Sequence, residues 1–218
     1  MKKTIMILSA ALTMTTLYTE QAQAVDGLTA NVGVSNNYVW RGISQTSDQA
    51  AISGGVDYAA SNGFYVGTWA SNVDWGDDTS AEVDLYAGYS FEAGELAFDV
   101  GYLFYGYPGG DSLDFSEIYA SVGWEFLTVG YHTLADSDWD SDFGDSDYLY
   151  ADLAFEVADG LELGFHYGVS NFDGGGDYSD YGISLSKDNF TLAITDVDEN
   201  TVESNFLVAV SYSVEFDL

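Results

Sequence analysis

The chain reads as an all-β protein, a transmembrane antiparallel β-barrel of about 12 strands, with 10 as the alternative count. Three observations predict this. The C-terminal segment alternates with period two, the N-terminus has the form of a secretory leader, and the connections between periodic segments alternate between short and long.

At the C-terminus, Phe206, Val208, Val210, Tyr212, Val214, Phe216 and Leu218 share one parity. Asn205, Ser211, Ser213, Glu215 and Asp217 take the other, interrupted by Leu207 and Ala209. Period two gives a strand with one apolar and one polar face. Its length exceeds the roughly 5–6 residues of soluble strands and covers the ~9–11 that a tilted strand needs to cross a bilayer. At the other end, Lys2 and Lys3 precede an apolar stretch from Ile5 to Leu17, followed by the small-x-small site Ala22-Gln23-Ala24. Residues 1–24 are therefore expected to be a signal peptide, removed to leave a barrel over residues 25–218. No later stretch supplies the ~18 consecutive apolar residues of a spanning helix.

Eleven further segments precede the last. The first carries Leu28, Ala30, Val32 and Val34 and continues on the same parity through Tyr38 and Trp40. Ile52, Val56 and Tyr58 mark the second, and Phe64 to Asn72 the third. The fourth is the cleanest, with Ala81, Val83, Leu85, Ala87, Tyr89 and Phe91 opposite Glu82, Asp84, Tyr86, Gly88 and Ser90. The fifth to eighth start at Leu96, Ile118, Leu127 and Leu149, and the ninth to eleventh at Leu161, Tyr181 and Phe190. The third and eleventh are the weakest, which leaves ten strands as the alternative.

The connections test this count independently. Short ones follow even-numbered strands: Ser61-Asn62-Gly63, the turn between Glu92 and Glu95, Phe126-Leu127, Ala158-Asp159-Gly160 and Lys187-Asp188-Asn189. Longer, mostly acidic ones follow odd-numbered strands, around 44–49, 74–80, 108–114, 135–147, 173–177 and 196–201. Outer-membrane barrels place short turns on the periplasmic side and longer loops outside. A soluble sandwich also alternates, but it would have to hide a Phe-, Tyr-, Trp- and Leu-rich face of every strand in one core.

Of 218 residues, 36 are Asp or Glu and 4 are Lys or Arg. Loss of Lys2, Lys3 and Glu20 with the leader moves the formal charge from −32 to −33 and leaves Arg41 and Lys187 as the only basic side chains besides two histidines. Such a surface repels nucleic acid, whose binding needs Lys and Arg against phosphate, and attracts cations. A content of 47% apolar and 16% aromatic residues argues against disorder. Without cysteine there is no disulfide framework and no thiolate chemistry.

The stretch Tyr38-Val39-Trp40-Arg41-Gly42-Ile43-Ser44-Gln45-Thr46, then Gly54-Gly55-Val56-Asp57-Tyr58, then residues 63–73 (GFYVGTWASNV), resembles the proteobacterial TorF porin family, also known by the domain name Gcw_chp. Asp84-Leu85-Tyr86-Ala87-Gly88-Tyr89 and Tyr105-Gly106-Tyr107-Pro108-Gly109 are similar to it too. The resemblance spans the mature chain and is sharpest in its first half. It implies a secreted barrel and a porin role, and it supplies no substrate and no catalytic residues.

Arg41, the only arginine, falls at the outer end of the first strand on the inward parity. It reads either as a constriction charge that selects solutes or as a fork that pairs with lumen carboxylates and fixes barrel shape, the latter being favoured. Asp57, Glu82, Asp84, Asp99, Glu117, Asp152, Glu162 and Asp180 come from seven strands and take the inward parity. They read as the lining of a cation-favouring path, or as part of a lumen plugged by tyrosines such as Tyr65, Tyr86, Tyr119 and Tyr150.

The run Asp136 to Asp147 crowds six carboxylates into one loop. Weak Ca²⁺ binding suits such oxygen ligands, but the spacing departs from an EF-hand, and a solvated loop is favoured. His132 and His166 lie on the polar parity without a recognisable nucleophile constellation, and Gly174-Gly175-Gly176 lacks the Lys-Ser or Lys-Thr of a phosphate loop.

The expected protein is thus an outer-membrane, porin-like channel for passive diffusion of small solutes, cation-preferring, and not an enzyme. Its expected partners are outer-membrane lipids, small solutes and the barrel-assembly machinery. The alternative is a non-conducting structural or partner-binding barrel with acidic external loops.

Overall fold

Backbone polar groups inside a bilayer must be satisfied within the protein, and a sheet achieves this only by closing on itself. The computed structural model has this form. It describes residues 25–139, 141–198 and 206–218; the leader, Asp140 of the acidic loop and the Asn205 end of the last strand lie outside the described residues. Twelve strands make one closed barrel: β1 (Leu28–Ser35), β4 (Ala51–Ala59), β5 (Phe64–Asn72), β6 (Ala81–Ala93), β7 (Leu96–Gly106), β8 (Phe115–Trp124), β9 (Leu127–Ser137), β10 (Ser146–Ala158), β11 (Leu161–Phe172), β12 (Tyr178–Lys187), β13 (Phe190–Val197) and β14 (Leu207–Asp217). Two short strands, β2 (Val39–Trp40) and β3 (Ile43–Ser44), form a separate hairpin. Each barrel strand pairs antiparallel with its neighbours, and β1 closes the ring on β14 with Val32 opposite Val214. The two weak segments are full members, β5 and β13, so the count is twelve rather than ten.

The connections alternate as expected. Two-residue turns at Gly94-Glu95, Glu125-Phe126, Asp159-Gly160 and Asp188-Asn189 share one end with the turn at 60–63, and the longer connections share the other. One turn lies a residue earlier than the Phe126-Leu127 expectation, because Leu127 pairs with Trp124. Glu125 then takes φ 51°, the positive value that tight hairpin turns demand.

The burial pattern is inverted relative to a water-soluble protein. Ile52 is 66% and Phe190 59% exposed, whereas Glu82 is 2%, Glu117 3% and Asp180 1% exposed. An apolar belt this large is covered by another phase, and a lipid bilayer fits a barrel with a polar interior. The sandwich alternative falls on this observation, since it needs the apolar face inside.

The first strand departs from its alternation. The parity runs through Tyr38 and Trp40, yet β1 ends at Ser35. Asn36 is the reason. Its backbone N–H donates to Val210 O, its Nδ2 donates to Val208 O at 2.9 Å, and its Oδ1 accepts from Val210 N at 2.6 Å. The amide side chain stands in for the next stretch of ladder against β14. The chain beyond it is released from the wall and turns into the lumen.

Candidate functional site

The segment released by Asn36 crosses the barrel interior. β2 and β3 are joined by Arg41-Gly42 with φ 47° and 79°, the two positive values of a two-residue hairpin turn. Thr46, fully buried, fastens the base: its hydroxyl accepts from Tyr38 N at 3.2 Å and lies 2.6 Å from Gln49 O. Asn37 Oδ1 accepts from Ser44 Oγ at 2.7 Å, and Asn37 Nδ2 donates to Asp48 at 2.9 Å. Tyr38 donates its hydroxyl to Glu82 Oε1 on β6 at 2.6 Å. The tip presses on the wall. A Cβ at Gly42 would stand 2.6 Å from Val197 Cγ1 and 2.7 Å from Asp180 Cβ, so only glycine lets the turn lie there.

Arg41 therefore sits at the tip of an inserted hairpin rather than at the outer end of the first strand. Its Nη2 donates to Glu117 Oε1 at 2.9 Å and Oε2 at 2.8 Å. The guanidinium carbon lies 4.3 Å from the Trp40 ring centroid and 4.2 Å from that of Tyr148. Burial alone would lower the Arg41 pKa, but the Glu117 carboxylate more than offsets it and holds the group above its ordinary value. Glu117 also accepts from Tyr105 Oη at 3.1 Å and faces His132 Nδ1 at 3.0 Å.

A second cluster adjoins the first. His166 turns Nδ1 to Asp152 Oδ1 at 2.6 Å and Nε2 to Asp180 Oδ1 at 2.8 Å. Two carboxylate acceptors are both satisfied only when the ring carries both protons, so His166 adds a second lumen cation. Tyr148 Oη lies 2.8 Å from His166 Nε2 and donates to Asp180 at 3.2 Å, linking the His166 cluster to the Arg41 stack.

The other inward acids are spread along the wall. Asp57 accepts from Tyr86 and from Asn31 at 3.2 Å, and Asp99 accepts from Tyr65 at 2.6 Å. Asp84, two residues from Glu82 on the same face of β6, has its buried Oδ1 without a hydrogen-bond partner among the described residues. Glu162 lies between Glu156 and Ser186 on neighbouring strands, near the short-turn end. The inward tyrosines do not point at the barrel axis. Tyr65 lies opposite Gly88, Tyr86 opposite Gly67, Tyr119 opposite Gly101 and Tyr150 opposite Gly130. In each pair a Cβ on the glycine would fall within 2.5 Å of the tyrosine side chain. The rings lie flat on bare backbone, and Tyr65 and Tyr119 meet through their hydroxyls.

Sequence reasoning placed both histidines on the polar face but did not pair them with acids. The direct register Asp152↔His166 was the available signal. Trp40, Tyr105 and Tyr148 were missed because their role depends on the inserted hairpin. Of the acidic loop, Asp145 accepts from Asp142 N at 2.6 Å and Asp147 from Asn171 at 2.8 Å.

The family described as "Bacterial protein of unknown function (Gcw_chp)" matches residues 19–215. The chain belongs to this family. The hairpin from Tyr38 to Thr46 is one of the stretches that carry the Gcw_chp resemblance. No curated protein matches the sequence. Among solved structures, the KdgM porin is similar with a TM-score of 0.58 at 10% identity, covering 87% of this chain and 99% of that one. "KdgM porin in complex with disordered oligogalacturonate" gives 0.53 at 8% identity over 88% and 98%. A mutant of Rh. blastica porin gives 0.50 at 17% identity over 86% and 73%. At these identities the likeness is one of fold, that of outer-membrane porin barrels.

Proposed function

We propose that this protein is an outer-membrane channel for passive diffusion of small solutes, that it prefers cations, and that the Arg41 hairpin forms its constriction. The observation that carries this reading is the hairpin itself, inserted into a barrel that is apolar outside and lined with carboxylates inside. The likeness in fold to porins supports it. The eight inward carboxylates named above, joined by Glu215 opposite Asn31 on β14, face one guanidinium and one imidazolium. The tyrosines that bond to the acids are neutral donors, which spread negative charge without cancelling it, and a low-dielectric wall strengthens that field. The KdgM structure with oligogalacturonate holds a polyanion; the acidic lumen here disfavours such a solute.

Reversal potentials across a potassium chloride gradient in planar bilayers test the proposal. A potential of the sign for potassium, shrinking as salt screens the lining, supports it; anion preference overturns the charge argument. A second reading, a non-conducting structural barrel, is favoured by one observation. Most inward acids are already engaged by protein donors and the hairpin spans the lumen. Absence of conductance would select it.

A further inference from the structure

Arg41 is held as a ligand would be, with its guanidinium carbon over two aromatic rings and a carboxylate accepting from its N–H. We propose that Trp40, Tyr148 and Glu117 form a recognition site for planar organic cations bearing guanidinium or amidinium groups, which Arg41 occupies as a tethered competitor. The inference deepens the channel reading by naming a solute class, and it rests on that reading only for the claim that such cations permeate.

Three observations carry it. First, the cage is held together by contacts that do not involve Arg41. Glu117 keeps Tyr105 and His132 as partners at 3.1 and 3.0 Å. The Tyr148 ring is fixed through its hydroxyl by His166 and Asp180, and Trp40 packs edge-on to Tyr105 and Phe115 with centroids 6.0 and 6.4 Å apart. Second, the chemistry suits a flat cation that carries N–H donors. Two aromatic rings stand 4.3 and 4.2 Å from the guanidinium carbon, and Glu117 accepts from its N–H, a bond that a quaternary ammonium has no proton to make. Third, Arg41 occupies a backbone position at φ 47° that glycine or asparagine fills at lower cost. The arginine side chain is therefore present for what it does at the tip, not for the turn.

The same φ makes a clean test, since Arg41→Gly suits the turn while emptying the cage. The probe is guanidinium chloride, far below denaturing concentrations, added to the purified barrel in detergent and followed by tryptophan fluorescence. Arg41→Gly should show a saturable response with a midpoint of about 10 mM or below, the range that one ion pair and two cation–π faces support. Tetramethylammonium should bind at least tenfold more weakly. Wild type, in which tethered Arg41 competes, should need at least tenfold more guanidinium than Arg41→Gly. Arg41→Gly/Glu117→Gln should lose the response.

A non-saturable response in Arg41→Gly overturns the proposal. So do equal binding of tetramethylammonium, equal affinity in wild type, and an unchanged response in the double variant. Should Arg41→Gly not fold alone, refolding restored by millimolar guanidinium supports the site. If it does not restore folding, Arg41→Asn, which also suits the turn and carries no charge, takes the place of Arg41→Gly in the same titration, and its saturable response or lack of one decides. Binding is read without conduction. A barrel that binds guanidinium but carries no current therefore refutes the channel and keeps the cage, and the converse result does the opposite.

Discussion

The ring of Tyr65 on β5 lies against the bare Cα of Gly88, its cross-strand partner on β6, so closely that a Cβ there would stand 2.2 Å from the tyrosine oxygen and 2.3 Å from Cζ. The pair keeps the aromatic ring on the wall and aims its hydroxyl at Asp99.

Gly88→Ala should push Tyr65 off the wall and break its bond to Asp99. Overpacking of this kind costs about 1–3 kcal/mol. The urea midpoint of the heat-modifiable gel band should fall, and single-channel conductance should drop as the ring enters the lumen. An unchanged midpoint and conductance would mean that the ring has another resting place.

Glu117→Ala should be among the most damaging single changes, because it leaves the buried Arg41 guanidinium without its carboxylate. Removing one partner of a buried pair costs about 3–5 kcal/mol. The hairpin should loosen, read as a lower urea midpoint and greater open-channel noise. A variant as stable as wild type would show that the pair is dispensable.

Tyr38→Phe should cost about 1–3 kcal/mol, since it removes the donor from a carboxylate that is 2% exposed. The pH dependence has a definite sign. Burial, followed by the nearby Glu82 charge, holds the Tyr38 hydroxyl well above its ordinary value. The stabilisation is therefore fully present below the unfolded tyrosine value of about 10 and is lost only as pH rises through the higher folded value. Protease protection of the hairpin should stay constant from neutrality to about pH 10 in wild type, whereas a decline between pH 8 and 10 contradicts the assignment.

Asp84→Asn and Asp99→Asn together should lower cation selectivity with little change in fold. His166→Gln should raise selectivity, because it removes the imidazolium between Asp152 and Asp180. Reversal potentials check both directions. A decrease in selectivity for His166→Gln would show that the ring is neutral.

The twelve-strand barrel was legible because apolar parity survives in almost every strand, from Val32 to Phe216, and because loop length tells the two ends apart. Parity misled at Tyr38 and Trp40. Alternation cannot show that an asparagine side chain has taken over the ladder, and so a hairpin of unchanged parity was read as more wall. The placement of Glu82, Asp84 and Asp180 inside followed from parity alone. What Arg41 touches did not, since Glu117 and Tyr148 lie 76 and 107 positions away along the chain, and only the closed register brings them to the hairpin tip. The glycine–tyrosine pairs were hidden for the same reason, being visible only once each strand has a fixed partner.

Asn36 has a consequence for how the molecule is made. Its side chain and backbone bond to Val208 and Val210, more than 170 positions later in sequence. The root of the inserted hairpin is therefore anchored by the last strand of the chain, at the seam where the first and last strands meet. Sealing the cylinder also anchors the root of the hairpin inside it. An intermediate that lacks the final strand has neither a finished wall nor the anchor at the hairpin root, so a prematurely ended chain is an open trough instead of a smaller pore.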